Sequence, residues 1–264
     1  YDKTPSDVPF WGENEKVNGI HSNFPSKLHQ AKDVSYSTVR IPSKMLQCYD
    51  SRNKTLHSFT DSLWSSFFVA SVVHSQKNKS SEIPRYMCIP TCVDFRRYLK
   101  QQNYSICNLF SAVTPEARVN PKMSLYELGK AMKMDLQKRM ARGEDFGILK
   151  SNGNLMNPDK KIYLQMSYLG SVNIRHPITD VFINLNMDAA ATESVLMFVG
   201  FSSIKKAMDA NQEDQNNAIL RLRYSPTALY KQEVDKMMAN IEYVLTKIPK
   251  ETSIEEAVKI VSSL

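Results

Sequence analysis

A chain of 264 residues that is 42% hydrophobic and 23% charged can bury a real core, as one large domain or two small ones, and is too apolar to be disordered. The formal net charge of +7 and pI near 9.1 suit nucleic acid, anionic lipid or a phosphate-bearing ligand. Lysines and arginines are scattered, with only small clusters at 77–79 and 160–161, so the basic balance reads as a solvated surface and not as a nucleic-acid patch.

No apolar run is long enough to span a bilayer, because the longest, 63–73, is interrupted by serines. No cleavable signal pattern follows Tyr1, and the chain reads as a soluble fragment or processed product. Cys48, Cys88, Cys92 and Cys107 lack zinc-ligand spacing and read as buried free thiols in a reducing compartment; no metal site is expected. Three Asn-x-Ser/Thr sequons, at Asn53, Asn78 and Asn103, carry no information in a sequence this rich in asparagine.

Residues 1–33, with Pro5, Pro9, Gly12, Gly19 and Pro25, show no sustained periodicity and read as a linker or crossover, leaving 34–264 as the folded unit. VSYSTVRIP alternates as a strand over 34–42. A helix follows from Ser58, with Ser58 and Asp61 forming a capping box, and its apolar residues spread around it, so it should be buried. RYMCIPTCVDF, 85–95, reads as one mostly apolar strand, and 109–113 as a shorter one.

A second capping box, Ser124 with Glu127, opens a helix whose Leu125, Leu128, Met132, Leu136 and Met140 keep helical spacing up to a stop at Gly143. Strands are expected at 162–172, 178–185, 195–202 and 218–224. In the last of these, Ile219, Arg221 and Arg223 alternate with Leu220, Leu222 and Tyr224. Val234, Met237, Ile241, Val244 and Ile248 mark a long C-terminal helix, and Ser253 with Glu256 opens a last short one. Strands alternating with helices make this an α/β protein, a mixed β-sheet covered by helices.

The closing strand, Ser-Pro turn and helix, AILRLRYSPTALYKQEVDKMMANIEYVL, resemble the closing unit of the chloramphenicol-acetyltransferase-like superfamily, which includes plant and fungal alcohol acyltransferases and peptide-synthetase condensation domains. TVRIP followed by TLHSFTDSLWSSFFVA resembles the strand and helix that open the second subdomain of fungal alcohol acetyltransferases. IPTCVDFRRYL, Cys107-Asn108 in place of the usual Gly-Asn, and MSYLGSVNI follow in the order of that family. Asp145-Phe146-Gly147 matches the start of the plant Asp-Phe-Gly-Trp-Gly motif but precedes the Ser-Tyr-Leu-Gly strand, on the wrong side in chain order. The ordered counterpart is Asp180, which keeps the acid and loses the glycines, and this favours the fungal branch.

The resemblance implies the second of two subdomains of a CoA-dependent acyltransferase. In that family a His in His-x-x-x-Asp, carried by the first subdomain, takes the proton from an alcohol or amine acceptor while it attacks the thioester. Two strings match the bare pattern here, His29 to Asp33 and His57 to Asp61, both misplaced in the family order, and we read both as chance. No catalytic residue is therefore expected in this chain. The resemblance implies that Ser167, Tyr168 and Gly170 line the acyl-CoA tunnel, where a small residue at a strand end lets the backbone approach a ligand; a plain β-turn would serve Gly170 equally well. It also implies an internal salt bridge between Arg96 and Asp180, and Asn108 as a cap or a mere turn beneath the site.

Acyl-CoA would be a co-substrate and not a permanent cofactor. The implied partners are the N-terminal half and an alcohol or amine acceptor, with no nucleic acid. The implied location is cytoplasmic, and because fungal relatives work at the endoplasmic reticulum or lipid droplets, a membrane surface stays open as a partner. A second hypothesis is a non-catalytic module of the same fold that binds a protein partner or acyl carrier.

Overall fold

The computed structural model describes residues 35–77, 82–94, 110–146, 164–174, 196–205, 215–224, 226 and 229–264. The linker at 1–33, the strand expected at 178–185, His29 and Cys107 lie outside them.

In chain order the elements are β1 (Ser35–Pro42), a single 3-10 turn (Ser43–Met45), β2 (Tyr49–Asp50), β3 (Thr55–Leu56), α1 (Phe59–Lys77), β4 (Tyr86–Cys88), β5 (Thr91–Asp94), β6 (Phe110–Val113) and β7 (Glu116–Arg118). They continue with α2 (Leu125–Ala141), β8 (Leu164–Ile174), β9 (Leu196–Lys205), β10 (Gln215–Tyr224), α3 (Lys231–Lys247) and α4 (Ile254–Ser262). Six strands form one mixed sheet in the order β1-β10-β9-β8-β5-β6, with β8 parallel to both β9 and β5 and the other pairings antiparallel. β2 pairs with β3, and β4 with β7, in two small ribbons.

The buried helix expected after Ser58 is α1. Leu63, Trp64, Phe67, Phe68, Val69, Val72 and Val73 point all round its axis, and none is more than 1% exposed. Their enclosure requires neighbours on every side: the sheet on one, and α2, α3 and α4 on the others. Phe67 meets Phe198 of β9 edge to face at 4.7 Å, and Trp64 Nε1 donates to Thr91 Oγ1 of β5 at 3.3 Å. Ser65 and Ser66, which interrupt this helix, are buried too and satisfy their hydroxyls within it. Ser66 Oγ donates to the Leu63 carbonyl at 3.0 Å and Ser65 Oγ to that of Ser62 at 3.2 Å. The helix start differs from an ordinary N-cap. Ser58 has φ +52°, in the left-handed region, although its side chain does bond the Asp61 carboxylate, which also pairs with Lys133 of α2 at 3.5 Å.

The single strand expected over 85–95 is two. Pro90 has no N–H to give a ladder, and the chain changes partners there, so β4 pairs with β7 while β5 joins the main sheet, with Met166 N–H donating to the Pro90 carbonyl at 2.8 Å. The short strand β7 gave no signal of its own, because three residues are too few for a period.

Helix α2 begins and ends as its sequence predicts. Ser124 Oγ accepts from Glu127 N–H at 3.1 Å, the Glu127 carboxylate accepts from Ser124 N–H at 2.7 Å, and Gly143 takes φ +79° past the end. Arg139, nearly buried, holds the end of α2 to its surroundings, bonding Asp135 at 2.5 Å and Glu144 at 3.1 Å and lying 3.9 Å from Glu116 of β7. All five apolar residues expected on the C-terminal helix are buried, and α4 starts at Ser253, whose Oγ accepts from Glu256 N–H at 3.3 Å. The starts of α2 and α4 are tied reciprocally, Leu125 N–H to the Thr252 carbonyl at 3.0 Å and Ile254 N–H to that of Met123 at 2.9 Å.

The closest approach of α1 and α2 is at Gly129, where a Cβ would lie 2.5 Å from the Asp61 carbonyl oxygen. That neighbour is backbone and cannot swing aside. Gly129→Ala is expected to destabilise the fold by about 1–3 kcal/mol through overpacking, measured as a fall in the urea midpoint at unchanged slope. An unchanged midpoint would show that the two helices are not packed this tightly.

Candidate functional site

The residues expected to line a tunnel sit on β8, and alternation along a strand sends them to opposite faces of the sheet. Tyr168 points to the helical side. Its ring meets Phe59 of α1 edge to face at 5.3 Å, and its hydroxyl shares a 2.7 Å hydrogen bond with Ser202 Oγ of β9. Burial raises its pKa, so the phenol stays protonated. Tyr168 thus joins β8, β9 and α1. Ser167 points the other way, is 3% exposed, and bonds the Cys92 thiol of β5.

The face that Ser167 shares, opposite the described helices, also carries Val199 and Phe201 of β9 and Ile219, Arg221 and Arg223 of β10, all buried. Two guanidiniums on one sheet face are costly to desolvate, and burial lowers the pKa of Arg223. Arg221 Nε donates to Thr38 Oγ1 of β1 at 3.1 Å. The alternation of Arg with Leu in this strand was visible in the sequence, but alternation alone suggests a solvated face. In the structure both faces of β10 are buried.

Two features distinguish β8. Its backbone ladder with β5 consists of Thr91 opposite Met166, and past that pair the two strands are joined by the Ser167–Cys92 side-chain contact while their ladders run to their outer neighbours. Beside this parting, β8 sets Leu169 and Gly170 against the single Phe201 of β9, a bulge between parallel strands. Gly170 has φ +77°, and a Cβ there would have no atom within 4 Å. The residue is therefore glycine for its backbone and stands beside open space. In an open sheet, ligands collect at the carboxyl ends of parallel strands; β5 ends at Asp94, and β8 and β9 run four residues past the Gly170 bulge to Ile174 and Lys205. Ser167, Cys92 and Gly170 form the candidate site, with Tyr168 as a support behind it. Arg96, Asn108 and Asp180 lie outside the described residues.

The described thiols are half-buried and protonated. Burial pushes Cys48 and Cys92 up to about 11 and Cys88 up to about 12. Cys88 and Cys92, read as sharing one strand, are on β4 and β5. His57 and Asp61 do not act as a pair. His57 Nε2 lies 3.0 Å from Asp50 Oδ2 across the β2–β3 hairpin, and Asp61 turns to Ser58 and Lys133. Among the described residues no cluster of His, Cys, Asp and Glu could hold a metal ion, and no helix is long and apolar enough to cross a membrane.

No protein-family model matches the chain, and no curated protein matches it. Solved structures do. The X-domain in complex with OxyB from teicoplanin biosynthesis superposes with a TM-score of 0.60 at 8% identity, covering 89% of this chain and 50% of that one. The epimerization domain from the third module of tyrocidine synthetase B gives 0.58 at 13% identity over 90% and 51%. The starter condensation domain of rhizomide synthetase gives 0.54 at 9% identity over 88% and 50%. The chain spans about half the length of these neighbours. Its mixed sheet with flanking helices is the chloramphenicol-acetyltransferase-like fold of condensation domains.

Two outcomes check this geometry. Gly170→Ala should cost about 1–2 kcal/mol from the left-handed backbone alone, read from urea unfolding; no loss would remove the bulge. At pH 8 a thiol with a pKa of about 11 is thiolate roughly one part in a thousand. Cys48, Cys88 and Cys92 should therefore resist a thiol reagent in the native chain and react at once in denaturant, with mass spectrometry assigning each. Fast native labelling of Cys92 would make it a candidate nucleophile.

Proposed function

We propose that this chain is the second of two subdomains of an acyltransferase that moves a short acyl group from coenzyme A to an alcohol or amine, with the general-base histidine in the other half. The observation that carries this reading is the coverage: the chain matches about half of each neighbour while accounting for nearly all of itself. The order of motifs that resembles the fungal alcohol acetyltransferases supports the choice of donor and acceptor. The parting of β5 from β8 beside Ser167 and Gly170 supports a place for an extended thioester arm. Of the described histidines, neither His57 on the hairpin nor His74 on α1 is on the Ser167 face of the sheet, which fits a base supplied by the other half. Direct attack by the acceptor needs no covalent enzyme intermediate, which agrees with thiols held protonated.

The second reading, an interaction module without turnover, is favoured by one neighbour, the X-domain, whose structure was solved with a bound protein, OxyB. In that reading the same sheet face receives a protein or acyl carrier.

Thiol release from acetyl-CoA with a panel of alcohols and amines separates the two. The chain alone is expected to stay at background, and a polypeptide carrying the other half should raise release at least tenfold. Background release in both cases selects the module. Release by the chain alone, lost in His57→Ala or His29→Ala, would place the base in this chain and overturn the half-enzyme reading.

A further inference from the structure

On the helical side of the molecule, away from Ser167, the β2–β3 hairpin, the first turns of α1 and α2 and the last turns of α3 enclose a cavity of about 250 Å³. Its apolar wall is Leu125, Val244, Leu245 and Ile248, each buried. Its opposite wall is polar, with the hydroxyls of Ser58, Ser62 and Ser65 and the Cys48 thiol.

The charges around it are already balanced. Asp50 is bonded to His57 at 3.0 Å and to Asn53 at 2.7 Å. Asp61 pairs with Lys133 at 3.5 Å. Lys250 lies 3.8 Å from Glu251 and sits over the Tyr126 ring, 5.6 Å from its centroid. A neutral occupant leaves all three pairs as they stand. The serine hydroxyls spend their protons elsewhere. Ser65 Oγ donates to main-chain carbonyls of α1 and Ser58 bonds the Asp61 carboxylate, so the oxygens face the cavity as acceptors. Such a wall receives one hydroxyl donor.

We propose that this cavity binds a neutral small molecule with an apolar body and a single hydroxyl, a short aliphatic or aromatic alcohol. Its volume is that of about eight waters at about 30 Å³ each, which admits a body of roughly seven to nine non-hydrogen atoms. The proposal does not rest on the acyl-transfer reading, because the site lies on the other side of the sheet and needs neither a thioester nor a second subdomain.

The test is hexan-1-ol titrated into the purified chain, followed by methyl NMR, with hexylamine and hexanoate as charged controls at pH 7. Hexan-1-ol should shift the methyls of Leu125, Val244, Leu245 and Ile248 saturably, and each control should bind at least tenfold more weakly. Ser62→Leu, at a partly exposed position on α1, should leave the methyl spectrum folded and reduce binding at least tenfold by filling the polar side. Leu245→Met, which keeps the volume, should retain binding. Charged controls that bind as well as the alcohol, shifts confined to other methyls, or wild-type affinity in Ser62→Leu would each overturn the assignment.

Discussion

Helix α1 has to leave water on every side at once. Seven large apolar side chains around its axis are each worth about 1.5–3 kcal/mol when buried, on the order of 10–20 kcal/mol together before chain entropy is counted. That exceeds the net stability of an ordinary domain, and no single neighbour can capture it. The sheet takes one side through Phe198 and Thr91, and α2, α3 and α4 take the others. The tight approach at Gly129, the paired starts of α2 and α4, and the ion cluster of Arg139 all hold those helices in place around α1.

Because the described helices gather on one face, the sheet is asymmetric, and the asymmetry divides the molecule chemically. The helical face is apolar, pinned by Tyr168, and leaves one mixed cavity where helix ends meet a hairpin. The other face carries Ser167, Cys92 and two buried arginines, and it is next to the place where β5 and β8 part. A strand with side chains alternating across it offers one residue to each environment, so neighbours in sequence such as Ser167 and Tyr168 have unrelated tasks. The proposed acyl-transfer role and small-alcohol site can coexist in one chain because six strands stand between them.

Much of this was legible from local chemistry. The capping box of α2, the stop at Gly143, the buried stripe of α3 and the all-round apolarity of α1 are short-range signals, each written within one or two helical turns. The fold class followed from such patterns, and the superposition on condensation domains agrees with it. The break at Pro90 was also visible as a proline within a strand pattern, yet the apolar run on either side outweighed it. Of the site, only the placement of Ser167, Tyr168 and Gly170 on a single strand could be read.

The sequence by itself determined where helices begin and end and which faces they bury, because those depend on contacts within a few residues. Only the tertiary structure decided that Arg221 and Arg223 are buried, that His57 turns to Asp50 instead of Asp61, that β8 bulges at Gly170, and that a cavity forms between the hairpin, α1, α2 and α3. Each of those depends on which distant segment lies opposite, a choice made by the packing around α1 and invisible to any local pattern.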